Sequence, residues 1–128
     1  MADFRTPLSR ARGLGSAKHG VGHWISERVS AVALVPLVLW GVWGILQLAA
    51  TDYDGALDWI SNPLNAVLMA LLIAVSFLHM MGGLRVVVED YIHTAGAKTA
   101  LLLLNVFVCA LGGALAVFSI LKVALGGA

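Results

Sequence analysis

Residues 64–84 read LNAVLMALLIAVSFLHMMGGL and contain no aspartate, glutamate, lysine or arginine. The run exceeds the roughly 20 residues with which a helix crosses a hydrocarbon core of ~30 Å. Two further uncharged runs, 29–50 and 99–121, meet the same requirement. None of the three shows the alternation of apolar and polar residues that is typical of membrane β-strands. The sequence therefore predicts an all-α integral membrane protein with three transmembrane helices.

Composition supports this class and excludes others. Of the 128 residues, 60% are hydrophobic and only 12% are charged, which is too little polar surface for a soluble domain of this size. A net charge of +1 gives no reason to expect binding to nucleic acid. The single cysteine, Cys109, lies in the third run, so a disulfide within the chain is impossible. No phosphate-binding glycine loop, CxxC pair or nucleophile elbow is present.

The distribution of basic residues predicts the orientation. The loop between the first two runs has no lysine or arginine but three aspartates, whereas the loop between the second and third has Arg85 and Lys98. By the positive-inside rule the N-terminus is cytoplasmic and the C-terminus is periplasmic. The basic residues that precede the first run are Arg5, Arg10, Arg12, Lys18 and Arg28.

The chain divides into an arm and an anchor domain. Residues 1–22 contain four glycines and scattered bases, which predicts a flexible cytoplasmic arm. Residues 23–128 form the three-helix anchor domain, with spans at about 29–50, 64–86 and 99–121. Asn62-Pro63 favours a helix start before the second span, because asparagine caps helices well and proline suits the first turn.

His79 is the ionisable residue within the second span, and Asp90 and Tyr91 follow it eleven and twelve positions later. Eleven residues return to within about 20° of the same helix face, about 16 Å further along the axis. An ionisable side chain at membrane depth is costly, so it indicates a functional site. His79 could be a core histidine bonded to a neighbouring hydroxyl or carbonyl, a proton relay, or an axial haem ligand.

A haem held by two histidines would have to be shared with another chain. His93 is fourteen residues beyond His79 on the same predicted helix, about 21 Å away, too far for both rings to reach one iron. His19 and His23 lie on the cytoplasmic side, shallower than His79. The second imidazole would therefore come from a different polypeptide.

Asp90, Tyr91 and Arg28 each have two interpretations. Asp90 and Tyr91 form either a solvated helix end with an aromatic anchor, or a pocket in which the phenol bonds a quinone carbonyl and the carboxylate helps to supply protons. Arg28 either faces lipid phosphates or pairs with an anionic cofactor group such as a haem propionate.

Two stretches resemble a known family. Residues 79–93, HMMGGLRVVVEDYIH, resemble the second-helix signature of the succinate dehydrogenase hydrophobic membrane anchor subunit, the smaller anchor of respiratory complex II, in which a histidine is followed eleven positions later by Asp-Tyr. Residues 23–31, HWISERVSA, resemble the start of that family's first helix. Without a long Arg- and Ser-rich transit extension, the chain resembles the bacterial type most.

The resemblance implies a role for each matched residue. His79 corresponds to the ligand of haem b iron, with the opposing ligand in the second anchor subunit. Tyr91 corresponds to the tyrosine that hydrogen-bonds ubiquinone, and Asp90 to its acidic neighbour. Arg28 corresponds to an arginine near haem and quinone.

The resemblance also implies the partners and the location. They are a second anchor subunit of the cytochrome b556 type, an iron–sulfur subunit, a flavoprotein subunit and membrane lipid, in the bacterial inner membrane. The flavoprotein would oxidise succinate, and electrons would reach quinone beside Tyr91 through the iron–sulfur clusters. The chain itself has no flavin or iron–sulfur motif, so we expect no dehydrogenase chemistry from it alone. The alternatives are an anchor of a related fumarate reductase, a small proton-translocating or transport subunit, and a structural membrane scaffold.

Overall fold

The computed structural model describes residues 6–13 and 20–126, and within these ranges it contains helices and short connections but no strand. Five helices follow one another: α1 (Pro7–Ala11), α2 (Gly20–Ala49), α3 (Tyr53–Ser61), α4 (Pro63–Tyr91) and α5 (Ala95–Ala124). Three of them, α2, α4 and α5, are long and apolar enough to cross a membrane. The predicted all-α class and the three predicted spans are confirmed.

Each long helix extends beyond the uncharged run that predicted it. α2 already begins at Gly20, and α4 continues to Tyr91. A helix satisfies its own backbone hydrogen bonds whatever its side chains are, so hydropathy marks only the part that suits hydrocarbon. The arm predicted for residues 1–22 therefore overlaps α2 and contains the short helix α1. Its residues 1–5 and 14–19 lie outside the described ranges.

The acidic connection between the first two spans forms a helix of its own, α3. The main-chain N–H of Gly55 donates to Asp52 Oδ1 at 2.9 Å, which caps the helix start. The Trp59 ring stacks on Trp40 of α2, with ring centroids 5.7 Å apart. A Cβ at Gly44 would lie 3.0 Å from the Trp59 ring, so the missing side chain lets the indole pack against α2. The sequence predicts a loop for this segment, and the structure shows a helix instead.

Both ends of α4 are defined by local chemistry. The side chain of Asn62 accepts from the main-chain N–H of Leu64 at 3.0 Å, and Pro63 is the first helical residue, as predicted. At the other end Ile92 is extended, with φ −102° and ψ 113°. His93 therefore lies in the connection to α5 and not on the helix of His79, because the chain must turn back there.

The central helix of the bundle is α4. It packs against both α2 and α5, whereas α2 and α5 do not pack directly on each other in the described residues. Ala66, from the stripe of small residues at 66, 70 and 74, is buried. The side-chain amide of Asn105 on α5 donates to the main-chain oxygen of Met81 at 2.8 Å and joins the two helices. Large apolar side chains face outward along all three long helices, as lipid contact requires.

The contact between Phe77 and Gly113 yields a stability prediction. A Cβ at Gly113 would lie 3.2 Å from both Cβ and Cγ of Phe77, and Gly113 is buried. We expect Gly113→Val to separate α4 from α5 and to destabilise the protein by about 1–3 kcal/mol. Thermal unfolding in detergent would measure this, with Ala100→Val at an exposed position of α5 as the control. Equal melting temperatures for the two variants would contradict the close packing.

Candidate functional site

His79 lies on α4 where this helix faces the N-terminal half of α2. Its Nδ1 atom is 3.0 Å from Ser30 Oγ and 3.5 Å from Glu27 Oε2. The His79 side chain is 38% exposed, and the Glu27 side chain is 23% exposed. The structure therefore joins the histidine of the second span to a hydroxyl and a carboxylate of the first.

The hydrogen bonds favour one tautomer of the His79 ring. The Ser30 hydroxyl donates to the main-chain oxygen of Glu27 at 3.0 Å. A serine hydroxyl has a single proton, so Ser30 Oγ can only accept from His79. An ionised Glu27 carboxylate is also an acceptor only. The proton of the neutral ring is therefore on Nδ1, and the Nε2 lone pair is available.

No described residue takes up that lone pair. Within residues 6–13 and 20–126 the hydrogen-bond and ion-pair contacts of the His79 ring are those made by Nδ1. The same ranges contain no group of three histidine, cysteine or acidic side chains that could hold a metal ion. Any metal bound at Nε2 would therefore need its remaining ligands from outside this part of the chain.

A pocket of about 640 Å³ opens between α2, α4 and α5 beside this cluster. Glu27 and Ser30 line it, and His79 does not. His23 also lines it, with Nε2 buried and without a hydrogen-bond partner. The pocket exists because α2 and α5 both pack on α4 but not on each other. Its other polar lining residues are Ser26, Arg85, Thr99 and Asn105.

Asp90 and Tyr91 lie at the end of α4, on the same helix as His79 as predicted. Tyr91 is 76% exposed, and Asp90 is exposed too. Neither residue lines the pocket between the three helices. The structure thus keeps these two candidates near each other and at one end of the bundle, but it does not enclose them. A binding site around the Tyr91 phenol would need walls from another molecule.

Arg28 is the remaining predicted site residue, and it lies on the exposed surface of α2. Its guanidinium carbon is 5.6 Å from the centroid of the Trp24 ring, within cation–π distance. The indole thereby supports the arginine at the same end of the bundle as Tyr91, since α2 begins where α4 ends.

An electrostatic cluster ties α4 to α5 at this end. Arg85 Nε donates to Glu89 Oε1 at 2.8 Å, one helical turn along α4. The Lys98 ammonium donates to the main-chain oxygen of Glu89, also at 2.8 Å, and so reaches back from α5. The connection that carries His93 is thereby held close to the helix ends.

Sequence reasoning missed Glu27 and Ser30, the two partners of His79. A signal was present, because His23, Glu27 and Ser30 are spaced four and three residues apart and thus share one helix face. Polar residues on one face of an otherwise apolar helix indicate an internal polar contact. The spacing alone does not say that His79 is the partner, since 49 residues separate it from Ser30.

Comparison with known proteins adds an independent observation. Residues 2–113 match the family model of the succinate dehydrogenase/fumarate reductase transmembrane subunit. The chain belongs to this family. It is similar to the succinate dehydrogenase hydrophobic membrane anchor subunit of Rickettsia conorii, with 31% identity over 84% of this chain and 86% of the relative. The resemblance seen in the two sequence motifs is confirmed.

Two more relatives carry the same name. The succinate dehydrogenase hydrophobic membrane anchor subunit of Rickettsia bellii is 32% identical over 79% of this chain and 81% of its own length. That of Paracoccus denitrificans is 31% identical over 96% of this chain and 95% of its own. No solved structure matches the chain significantly. At the level of the family, the prediction of a membrane anchor subunit rather than the dehydrogenase itself is confirmed.

Proposed function

We propose that this chain is the membrane anchor subunit of a succinate:ubiquinone oxidoreductase, that it shares a haem b with a second anchor subunit, and that it forms part of the ubiquinone-reduction site. The observation that carries the proposal is the His79 ring, whose Nδ1 is bonded inside the chain while Nε2 has no partner in the described residues. Metal-bound histidines typically have this arrangement, because the bond at the second nitrogen fixes the tautomer and orients the ring.

The residues present fit a shared haem. His79 Nε2 would bind the iron, and the His79 side chain is partly exposed, at 38%. The opposing ligand would come from the second anchor subunit, as the family resemblance implies. Arg28, exposed and supported by Trp24, would pair with a propionate. Haem b, when bound, supplies a one-electron carrier.

Tyr91 and Asp90 would serve the quinone. The Tyr91 phenol O–H would donate a hydrogen bond to a quinone carbonyl, and the exposed Asp90 carboxylate would help to pass protons from water. Reduction of the quinone to the quinol takes two electrons and two protons. The electrons come from the iron–sulfur subunit and the protons from the aqueous side. The open surroundings of Tyr91 agree with a site that partner subunits complete.

The end of the bundle with Arg28, Arg85 and Lys98 would face the cytoplasm, since it carries the basic residues. Three spans then leave the C-terminus in the periplasm of a bacterial inner membrane. The flavoprotein and iron–sulfur subunits would dock on the cytoplasmic end, beside the connection that Lys98 holds against Glu89.

Purification of the native complex tests the proposal directly. A tagged chain should recover a second anchor subunit, an iron–sulfur subunit and a flavoprotein. The reduced preparation should show the sharp bands of a haem with two histidine ligands. A preparation without haem absorption would overturn the haem assignment and favour a proton path through Glu27 and His79. A haem-containing complex that reduces fumarate with quinol but does not reduce quinone with succinate would identify a fumarate reductase anchor instead.

A further inference from the structure

The Glu27 carboxylate occupies an unusual position within a membrane helix. It lies in the third turn of α2, its side chain is 23% exposed, and its ion-pair contact is with His79. The described residues place no lysine or arginine in a salt bridge with it. A carboxylate at this depth is costly unless it is paired or hydrogen-bonded. The His79 ring supplies that pairing, because its Nδ1 lies 3.5 Å from Glu27 Oε2.

Gly82 makes the position possible. A Cβ at Gly82 would overlap Glu27 Oε1, so the carboxylate lies directly against the backbone of α4. Gly82 is three residues after His79, which places it beside the histidine on the next helical turn. The Glu27 carboxylate therefore packs against Gly82 on one side and lies 3.5 Å from Nδ1 of His79 on the other.

We propose that Glu27 and Ser30 are positioning residues for His79: they keep the proton on Nδ1, fix the ring orientation, and adjust how strongly Nε2 donates to the haem iron. The inference rests on the proposed haem ligation. A carboxylate close to Nδ1–H makes the imidazole a stronger electron donor, which favours ferric over ferrous iron and lowers the haem reduction potential. The Ser30 hydroxyl donates its proton to the Glu27 main-chain oxygen. This bond fixes Ser30 Oγ as the acceptor for His79 Nδ1–H.

Substitutions of Glu27 and of Ser30 in the purified complex test the two residues separately. Glu27→Gln keeps the size of the side chain but removes its charge, and we expect the haem midpoint potential to rise. Ser30→Ala removes the hydroxyl acceptor, and we expect haem retention to fall by about 10- to 100-fold in a transfer assay to apomyoglobin. Ser30→Thr keeps the hydroxyl and should retain haem normally. Ser119→Ala is the matched control, because Ser119 is an exposed serine of α5 whose hydroxyl also donates to a main-chain oxygen of the preceding turn.

Gly82→Ala is a second way to disturb the carboxylate. It leaves Glu27 and His79 unchanged but displaces the carboxylate, so the midpoint potential should rise as in Glu27→Gln. This variant keeps the test decisive if Glu27→Gln fails to assemble.

The results distinguish this inference from the proposed function. If His79→Ala keeps its haem, the ligand assignment itself is wrong. If His79→Ala loses haem while Glu27→Gln, Gly82→Ala and Ser30→Ala keep wild-type potential and haem retention, the ligation stands and the positioning role is refuted. A lower melting temperature with unchanged potential and haem retention would also refute it, because it would reduce the cluster to a packing contact between α2 and α4.

Discussion

Replacement of His79 by alanine is expected to remove haem b from the assembled complex almost completely. Alanine offers no nitrogen to iron. The loss should exceed the roughly 10- to 100-fold weakening that follows removal of a ligand's hydrogen-bond partner. The measurement is the haem-to-protein ratio of the purified complex, taken from its reduced-minus-oxidised spectrum.

His93→Ala is the control for this experiment. His93 is exposed and lies beyond the end of α4, so its removal should leave the haem-to-protein ratio unchanged. Wild-type haem content in His79→Ala would show that the iron is held elsewhere. The contacts of His79 with Ser30 and Glu27 would then be those of a core histidine that bonds a neighbouring hydroxyl, which is one of the three roles that the sequence leaves open.

Tyr91→Phe is expected to slow quinone reduction by about 10²-fold, because it removes one hydrogen-bond donor from the carbonyl that accumulates charge during reduction. The ring remains, so packing at the end of α4 should not change. Succinate-dependent reduction of a short-chain ubiquinone measures the effect. Succinate-dependent reduction of an artificial dye by the soluble subunits should persist at the wild-type rate.

Tyr53→Phe provides a matched control for Tyr91→Phe. Tyr53 is the only other tyrosine of the chain; it is exposed and begins α3 at the opposite end of the bundle. The Tyr53→Phe substitution should leave both quinone reduction and dye reduction unchanged. Normal quinone reduction in Tyr91→Phe would refute the role of the phenol, whereas parallel loss of dye reduction would indicate a defect in docking rather than in quinone binding.

The fold class, the number of spans and one of the helix starts could be predicted from the residues alone. An uncharged run of this length lies in the hydrocarbon core, where its backbone finds no water to bond. Each run must therefore form its hydrogen bonds internally, as a helix does. Asn62-Pro63 marked the start of α4 because capping and the first turn depend only on neighbouring residues. The same local reasoning placed His79 and Asp90 on one side of a single helix.

Hydropathy was least informative where the helices meet and where they end. Long apolar helices have similar side chains on every face, and lipid tails are as apolar as leucine, so the pattern does not reveal which face packs inward. For this reason the central position of α4 was not predicted. The helix α3 was also missed: Asp52 caps its start locally, but its packing depends on the stacking of Trp59 on Trp40 of α2.

The tertiary structure alone decided what surrounds His79. Ser30 is 49 positions away in sequence, and only the rotation and depth of α2 against α4 bring its hydroxyl to 3.0 Å from Nδ1. The same packing places Glu27 against Gly82 and leaves Tyr91 outside the pocket between α2, α4 and α5. Local rules fix the shape of one helix, but the contact between two helices depends on how all their side chains fit together.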